Sequence, residues 1–258
     1  MGPSNSLSGI GAVKPVASWT LKLDYNTHFV SYGADIWGGG SNWRSSRIGT
    51  FNPSLELVLA MEPVSIYAGA WADVNRHGVP QYGDTVQEID VWLGIGYRQE
   101  RFDFGVTYQE WYYLEQTERI VDTWLFFDDT GLLIEDFAFT PSLLVHSRVS
   151  AKFADSGSVL ELRLDPGFSP ATGDTSSLRL SIPVRLGFLE KGFSGGDAGF
   201  GYASIGVQLS QPLTFITSRY GDWYANGGLT FYHTEKDVIP DNPDADFLTG
   251  NAGLSLRF

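Results

Sequence analysis

The sequence predicts an all-β protein: one closed, antiparallel, up-and-down β-barrel of about twelve strands that spans a membrane. The first observation is a strict alternation of apolar and polar residues, which marks strands whose two faces meet different surroundings. The second is the length of the apolar faces, which fits the roughly 9 to 11 residue tilted strands that cross a bilayer. The third is a grouping of aromatic residues near the predicted strand ends, where the interfacial girdles of membrane barrels lie.

The first six predicted strands each place apolar residues at every second position. β-Branched, aromatic and leucine side chains at this spacing fit one face of a pleated strand. In chain order, these apolar residues are Trp19, Leu21, Leu23 and Tyr25; Phe51, Leu55, Leu57 and Leu59; Val64, Ile66, Ala68, Ala70 and Ala72; Ile89, Val91, Leu93, Ile95 and Tyr97; Phe104, Val106 and Tyr108; and Val121, Leu125 and Phe127.

The last six predicted strands repeat the pattern. Their apolar residues are Phe139, Leu143 and Val145; Leu160, Leu162 and Leu164; Leu178, Leu180, Ile182, Val184, Leu186 and Phe188; Ala203, Ile205, Val207 and Leu209; Trp223, Leu229 and Phe231; and Leu248, Ala252, Leu254, Leu256 and Phe258. The ninth strand contains Pro183, which cannot donate a ladder hydrogen bond and therefore predicts a bulge. The connections alternate in length, with short turns at 62–63 and 99–101 and long loops at 37–47 and 76–85.

Composition excludes several other classes of protein. The chain has 258 residues and a formal net charge of -13, whereas binding to nucleic acid needs a surplus of Lys and Arg. The absence of Cys excludes a disulfide framework, a thiolate zinc site and a Cys nucleophile. We expect residues 1–17 to be an N-terminal tag or periplasmic segment and residues 18–258 to form the barrel.

The last eight residues form a recognisable pattern. A polar residue is followed two positions later by Gly, then by two hydrophobic residues around one position and a terminal aromatic. These positions are Asn251, Gly253, Leu254, Leu256 and Phe258. The pattern resembles the assembly signal of bacterial outer-membrane β-barrel proteins. The resemblance implies recognition by the barrel assembly machinery, contact with outer-membrane lipid and lipopolysaccharide, and a place in the outer membrane of a Gram-negative bacterium, with both termini periplasmic.

Three internal segments, 87–97, 106–111 and 195–207, also resemble an uncharacterised proteobacterial outer-membrane family. This second resemblance implies no activity.

The polar faces of the strands predict a lumen with two unlike walls. The predicted acidic wall, from the first six strands, consists of Asp24, Glu56, Asp73, Glu88, Asp90 and Asp122. The predicted basic wall, from the seventh to ninth strands, consists of Arg148, Arg163, Arg179 and Arg185. In an open pore these charges would orient dipolar solutes. The alternative is that they pair across a narrow barrel and close it.

Aromatic residues are also predicted on the inward faces. They are Tyr67, Trp71, Trp92, Trp111, Trp124, Tyr202 and Tyr224. Flat rings stack on ring-bearing solutes, and Tyr or Trp adds a hydrogen-bonding group. The alternative is that these rings only fill the lumen.

The residues predict no catalytic, metal or cofactor site. His146 and Ser147 are adjacent, and neighbours in a strand point to opposite faces, so they cannot form a catalytic pair. Asn242, Asp244 and Asp246 have oxygen ligands at alternate positions, but an acidic solvated loop fits them better than a calcium site.

We therefore expect a non-enzymatic outer-membrane channel for passive diffusion of small hydrophilic solutes, ring-bearing ones included. The alternative is a plugged structural or adhesive barrel that acts through its acidic outer loops.

Overall fold

The computed structural model describes residues 16–42, 49–76, 85–113, 116–134, 137–151, 156–168 and 178–258. Within these ranges twelve strands form one closed antiparallel barrel, so the predicted fold is confirmed. In chain order they are β1 (Val16–Asn26), β2 (Thr50–Met61), β3 (Val64–Val74), β4 (Val86–Gln99), β5 (Phe102–Tyr113), β6 (Gln116–Phe127), β7 (Ser142–Ser150), β8 (Gly157–Leu164), β9 (Val184–Leu189), β10 (Gly199–Pro212), β11 (Asp222–Thr234) and β12 (Asp246–Arg257).

Shorter elements join these strands. They are the strands Val30–Ser31, Ala34–Asp35, Phe137–Ala138, Gly167–Phe168 and Arg179–Ser181 and the 3-10 turn Ser218–Tyr220. Residues 1–15 of the predicted tag, and positions 43–47 and 77–84 of the predicted long loops, lie outside the described residues.

The barrel closes between its first and last strands. β1 pairs with β12, and every other barrel strand pairs with its neighbours in chain order. Val16 and Phe258 lie at the same end, here called the proximal end. The connections 27–49, 190–198 and 235–245 lie at the opposite, distal end.

The two faces of each strand meet different surroundings, as the alternation predicts. On β4, Leu93 and Ile95 are 59% and 54% exposed on the outer surface, whereas Gly94 and Gly96 between them are buried. The same arrangement around the barrel leaves a continuous apolar belt outside, which is the surface that membrane barrels present to lipid.

Aromatic rings gather where that belt ends at the proximal side. The ring pairs there are Trp19–Phe258 at 5.5 Å, Tyr97–Phe104 at 5.3 Å and Phe102–Phe127 at 4.9 Å between centroids. Rings of this kind are favoured at the boundary between lipid tails and headgroups, because one end of the side chain is apolar and the other tolerates water.

The bulge predicted at Pro183 is wrong. Pro183 interrupts the strand, so Arg179–Ser181 and β9 are separate pieces, yet both pair with β10 in one continuous register. The Pro183 carbonyl still accepts a hydrogen bond from the Gly206 N–H at 2.8 Å, so the missing donor breaks the ladder without shifting it. The register shift of this strand lies between Gly187 and Phe188.

A small apolar core closes the distal end. It joins Val159 and Leu189 of the barrel wall to Phe193 and Ile239 of the two distal loops, and all four side chains are buried. Tyr32 and Ala34, from the first distal connection, pack against this core. The distal loops therefore form a packed cap over the lumen.

Candidate functional site

A chamber of about 560 Å³ lies in the lumen beneath the distal cap. Residues 29–33 form its distal side, β4 contributes Glu88 and Asp90, and Arg163 of β8 lies four strands further around the barrel. A second cavity of about 600 Å³ shares Trp71 and Asp90 with the chamber and extends toward the proximal end. The two cavities are therefore neighbours in the lumen, with these shared side chains between them.

The distal side of the chamber is a β-hairpin in the first connection. Val30–Ser31 pairs with Ala34–Asp35 across the turn Tyr32-Gly33, whose φ angles are 47° and 82°. Two consecutive residues with positive φ are typical of a two-residue hairpin turn. A Cβ at Gly33 would lie 2.6 Å from the Tyr202 ring, so this position also requires glycine for close approach.

The hairpin and the residues just after it contact two parts of the wall that lie four strands apart. The Trp37 Nε1 donates to Asp73 of β3 at 3.0 Å, and the Tyr32 hydroxyl lies 2.8 Å from His146 Nδ1 on β7. Burial, reinforced by the negative charge of Asp122, raises the pKa of the Tyr32 hydroxyl well above its usual value. Tyr32 therefore stays neutral against the wall.

The last distal loop holds the hairpin in place. The Asn242 side chain accepts from the Asp35 N–H and donates to the Gly33 carbonyl, both at 2.8 Å. Asp244 accepts from the backbone N–H and hydroxyl of Ser41 at 2.7 and 2.8 Å. The prediction of a solvated loop is therefore wrong for Asn242, which is buried, whereas Asp244 is exposed.

Replacing Gly33 with Ala is expected to release the hairpin. A residue with a Cβ is strained at this positive φ, which destabilises the folded state by about 1–2 kcal/mol. The new Cβ also overlaps the buried Tyr202 ring. Limited chymotrypsin digestion of the folded barrel should then cut at Phe29 or Tyr32, where the wild type is protected. Gly131→Ala is the matched control, because Gly131 has a φ of 69° but nothing within 4 Å of an added Cβ. Equal protection of both variants would contradict the packed hairpin.

The predicted acidic residues divide into three groups. Glu88 and Asp90 lie on the same face of β4 and line the chamber. Asp73 and Asp122 are buried in the wall. Asp73 binds Asn75 at 2.9 Å, and Asp122 binds His146 at 2.7 Å and Gln109 at 2.6 Å.

The remaining two acidic residues lie away from the chamber. Asp24 of β1 lies opposite Gly253 of β12, and Glu56 lines the cavities nearer the proximal end. The structure therefore brings together two of the six predicted acidic residues in the chamber.

Two of the predicted basic residues pair with acids on their own wall. Arg163 binds Glu161 at 2.6 Å, and Arg185 binds Asp165 at 2.6 Å. Among the described residues, no ion pair joins these arginines to Glu88 or Asp90. Arg163 and Arg185 therefore do not pair across the lumen with these two acidic residues, and the chamber lies between them.

The other two predicted basic residues lie at opposite ends of the barrel. Arg148 forms a buried ion pair with Glu118, and its guanidinium lies 4.1 Å from the centroid of the Phe193 ring in the distal cap. Arg179 lies 6.0 Å from the Tyr224 ring centroid near the proximal end. Neither lines the chamber.

The predicted aromatic residues all lie on inward faces, but at different depths. Trp71, Trp111 and Tyr202 line the chamber. Trp92 and Tyr67 line the cavities closer to the proximal end, where the Trp124 Nε1 donates to the Tyr67 hydroxyl at 2.9 Å. Tyr224 lies at the proximal end, beside Arg179.

Sequence reasoning missed the hairpin and its partners. Residues 29–33 lie between two predicted elements and show no periodicity, so only the Tyr32-Gly33 dipeptide hinted at a turn. Glu118 was missed because the predicted sixth strand begins at Val121, whereas β6 begins at Gln116.

The described residues contain no group of three or more His, Asp or Glu side chains that could hold a metal ion. His146 points inward and is fully buried, whereas the neighbouring Ser147 hydroxyl contacts Ser158 at 3.1 Å. The two residues lie on opposite faces, as predicted. In the same part of the chain no helix is long and apolar enough to cross a membrane.

The residues of the predicted assembly signal lie in β12 and just after it. Asn251 lines the chamber, and Gly253 leaves room for the Asp24 carboxylate, which a Cβ there would overlap. Leu256 is buried. The Phe258 N–H and carbonyl both bond to the Trp19 backbone at 2.9 Å, and the two rings stack, so the last residue completes the barrel seam.

One comparison with a solved structure, the NanC porin, agrees with this fold. No family model and no curated protein match the chain. The NanC porin superimposes with a TM-score of 0.50 at 9% identity, over 92% of this chain and 98% of NanC. The β domain of the Bordetella autotransporter BrkA gives a TM-score of 0.38 at 12% identity, over 94% of this chain and 98% of that one. At such low identity, the chain is similar to the NanC porin in fold alone.

Proposed function

We propose that the protein is a channel in the outer membrane of a Gram-negative bacterium for passive diffusion of small hydrophilic solutes. The observation that supports this most directly is the polar lumen, in which cavities of about 560 and 600 Å³ follow one another beneath the distal cap. Polar cavities between unlike charged walls suit small polar solutes. The apolar belt and the aromatic girdle support a membrane location.

The hairpin narrows this channel at its distal end. Because Tyr32 and Trp37 hold the first distal connection against two parts of the wall, we expect solutes to pass this end when the hairpin leaves its docked position. Loops that move on the microsecond to millisecond scale gate access in many proteins. The channel is therefore expected to show brief openings.

Single-channel recording in planar bilayers tests the proposal. The wild type is expected to conduct in short openings, and Gly33→Ala is expected to raise the fraction of time spent open. A correctly folded barrel without conductance in either form would instead favour a structural role.

Ion selectivity provides a second test. Replacing Arg163 and Arg179 with Gln removes two positive charges from the lumen, while Arg185 remains within 3.8 Å of Glu161. The reversal potential in a salt gradient should move toward the cation value, because Coulomb interactions are weakly damped in a narrow pore. Lys191→Gln is the control, since Lys191 is 79% exposed in a distal loop. An equal shift in both variants would contradict a lumen path.

A further inference from the structure

Three aromatic rings on the inner face of the barrel lie over glycines of the neighbouring strand. In the register, the directly opposite pairs are Tyr67 and Gly94, Trp92 and Gly69, and Trp124 and Gly105. A Cβ at any of these glycines would overlap the ring opposite it. Because glycine has no Cβ, each ring can rest on the backbone of the next strand. The rings therefore lie along the wall, and cavities remain beside them.

Hydrogen bonds hold two of these rings against the wall. The Trp124 Nε1 donates to the Tyr67 hydroxyl at 2.9 Å, and that hydroxyl lies 2.8 Å from the Thr107 Oγ1 atom on β5. The Trp124 ring also passes over Gly96 of β4, where an added Cβ would lie 3.4 Å from it. Because the polar atoms of both rings bond within the wall, the ring surface that remains for the lumen is apolar carbon.

The aromatic rings follow one another along the lumen. From the proximal end they are Trp124, Tyr67, Trp92 and Trp71, here called the aromatic track. Trp124 and Tyr67 share a cavity of about 460 Å³, and Tyr67 and Trp92 share one of about 280 Å³. Trp92 and Trp71 share the cavity of about 600 Å³, and Trp71 also lines the chamber. All four side chains are half-buried, so each keeps exposed ring surface along this path.

Hydrogen-bonding groups of several kinds lie beside the aromatic track. Glu56 is exposed and lines all three of these cavities, and the Gln109 side chain lines two of them. Lys22 and Ser54 line the largest. Carboxylate and amide oxygens accept hydrogen bonds, ammonium and amide N–H groups donate, and a hydroxyl does both. The track therefore offers apolar ring surface with donors and acceptors along its edge.

A neutral sugar has the matching surface. Its ring carries C–H groups on a face that packs against an aromatic ring, and its hydroxyls both donate and accept hydrogen bonds. The charges beside the track have both signs, at Glu56 and Lys22, so they select neither anions nor cations. A neutral solute also loses less hydration than an ion when it enters such cavities.

We propose that the aromatic track binds neutral oligosaccharides, with successive sugar rings packed against successive aromatic rings. This inference rests on the proposed channel, whose solutes it narrows to one class. The centroids of the Tyr67 and Trp124 rings are 6.3 Å apart, a step that two joined sugar rings can span. Several weak contacts in a row hold a solute and still let it move on, which is what passage through a channel requires.

The first test compares probes of increasing length on the wild type. Glucose, cellobiose and cellotriose are titrated into the refolded barrel in a polyoxyethylene detergent, which has no sugar headgroup to compete. Binding is followed by calorimetry and tryptophan fluorescence. Because linked sugar rings engage several aromatic rings at once, cellotriose should bind at least about tenfold more tightly than glucose. Equal affinities, or no binding of cellotriose, would overturn the inference.

Variants of one ring test the place of binding. Trp92→Leu should lower the affinity for cellotriose about tenfold, whereas Trp92→Phe, which keeps a ring, should bind nearly as the wild type does. Trp223→Leu is the matched control, because Trp223 lies on the outer face of β11 with Leu229 and Phe231. Equal affinities in the two leucine variants would contradict the track. The length series uses the wild type alone, so it remains decisive if Trp92→Leu fails to fold.

Binding and conductance are measured separately. A barrel that binds cellotriose but passes no current would refute the channel and leave the sugar site standing. A conducting barrel that does not bind cellotriose would refute the sugar site alone.

Discussion

Removal of Phe258, or its replacement by Asp, is expected to leave the chain unassembled and sensitive to protease. Phe258 contributes two backbone hydrogen bonds and a stacked ring to the seam between β1 and β12. A carboxylate at this position would place a charge where the aromatic girdle meets lipid, which is unfavourable. Loss of the heat-modifiable band on gels, together with digestion in intact cells, measures the failure.

Phe215→Asp is the matched control for this experiment. Phe215 is also a proximal aromatic, but it is 82% exposed in the connection between β10 and β11. This variant should assemble normally. A normal band in the Phe258 variants would show that the C-terminal resemblance to an assembly signal is misleading.

Replacing Arg148 with Met is expected to destabilise the folded barrel by about 3–5 kcal/mol. Arg148 and Glu118 form an ion pair in which the side chains are only 10% and 1% exposed. Removing the guanidinium leaves the Glu118 carboxylate buried without its counter-charge, and also removes the contact with the Phe193 ring. Urea unfolding from lipid vesicles, followed by tryptophan fluorescence, gives the free energy of unfolding.

Two further variants isolate the cause. Arg119→Met breaks the ion pair with Glu110, in which Arg119 is 53% exposed, and should cost at most about 1 kcal/mol. The double variant Glu118→Gln with Arg148→Met removes the stranded charge and should recover part of the loss. Similar losses in Arg148→Met and Arg119→Met would contradict a buried pair.

The strands could be predicted because their signal is local. Every second side chain of a strand faces out of the barrel, so ten residues are enough to reveal the apolar face, as Ile89 to Tyr97 do on β4. The signal fails where the strand leaves the apolar belt. The distal start of β6 has Thr117 and Arg119 on its outer face, so its alternation is hidden and Glu118 was missed.

The candidate site depends on contacts between distant parts of the chain. Tyr32 and His146 are 114 positions apart, and no local pattern in the sequence relates them. The pairing of Glu161 with Arg163 could have been inferred, since residues two apart share a strand face. Because Arg163 has Glu161 beside it on the same strand, it does not pair across the lumen, and the chamber lies between the two walls.

The hydrogen bond between Asn242 and the hairpin also predicts an order of events during folding. Asp35 and Asn242 are separated by 207 positions, so their contact brings together almost the whole length of the chain. Such a contact is expected to form late in folding, because closing a long loop costs conformational entropy before the contacts that it brings together stabilise the chain. We expect the hairpin to dock against Asn242 only after β11 and β12 have paired with each other and β12 has paired with β1. We therefore expect the distal cap to close after the barrel seam, so that a barrel with an open seam also has an open distal end.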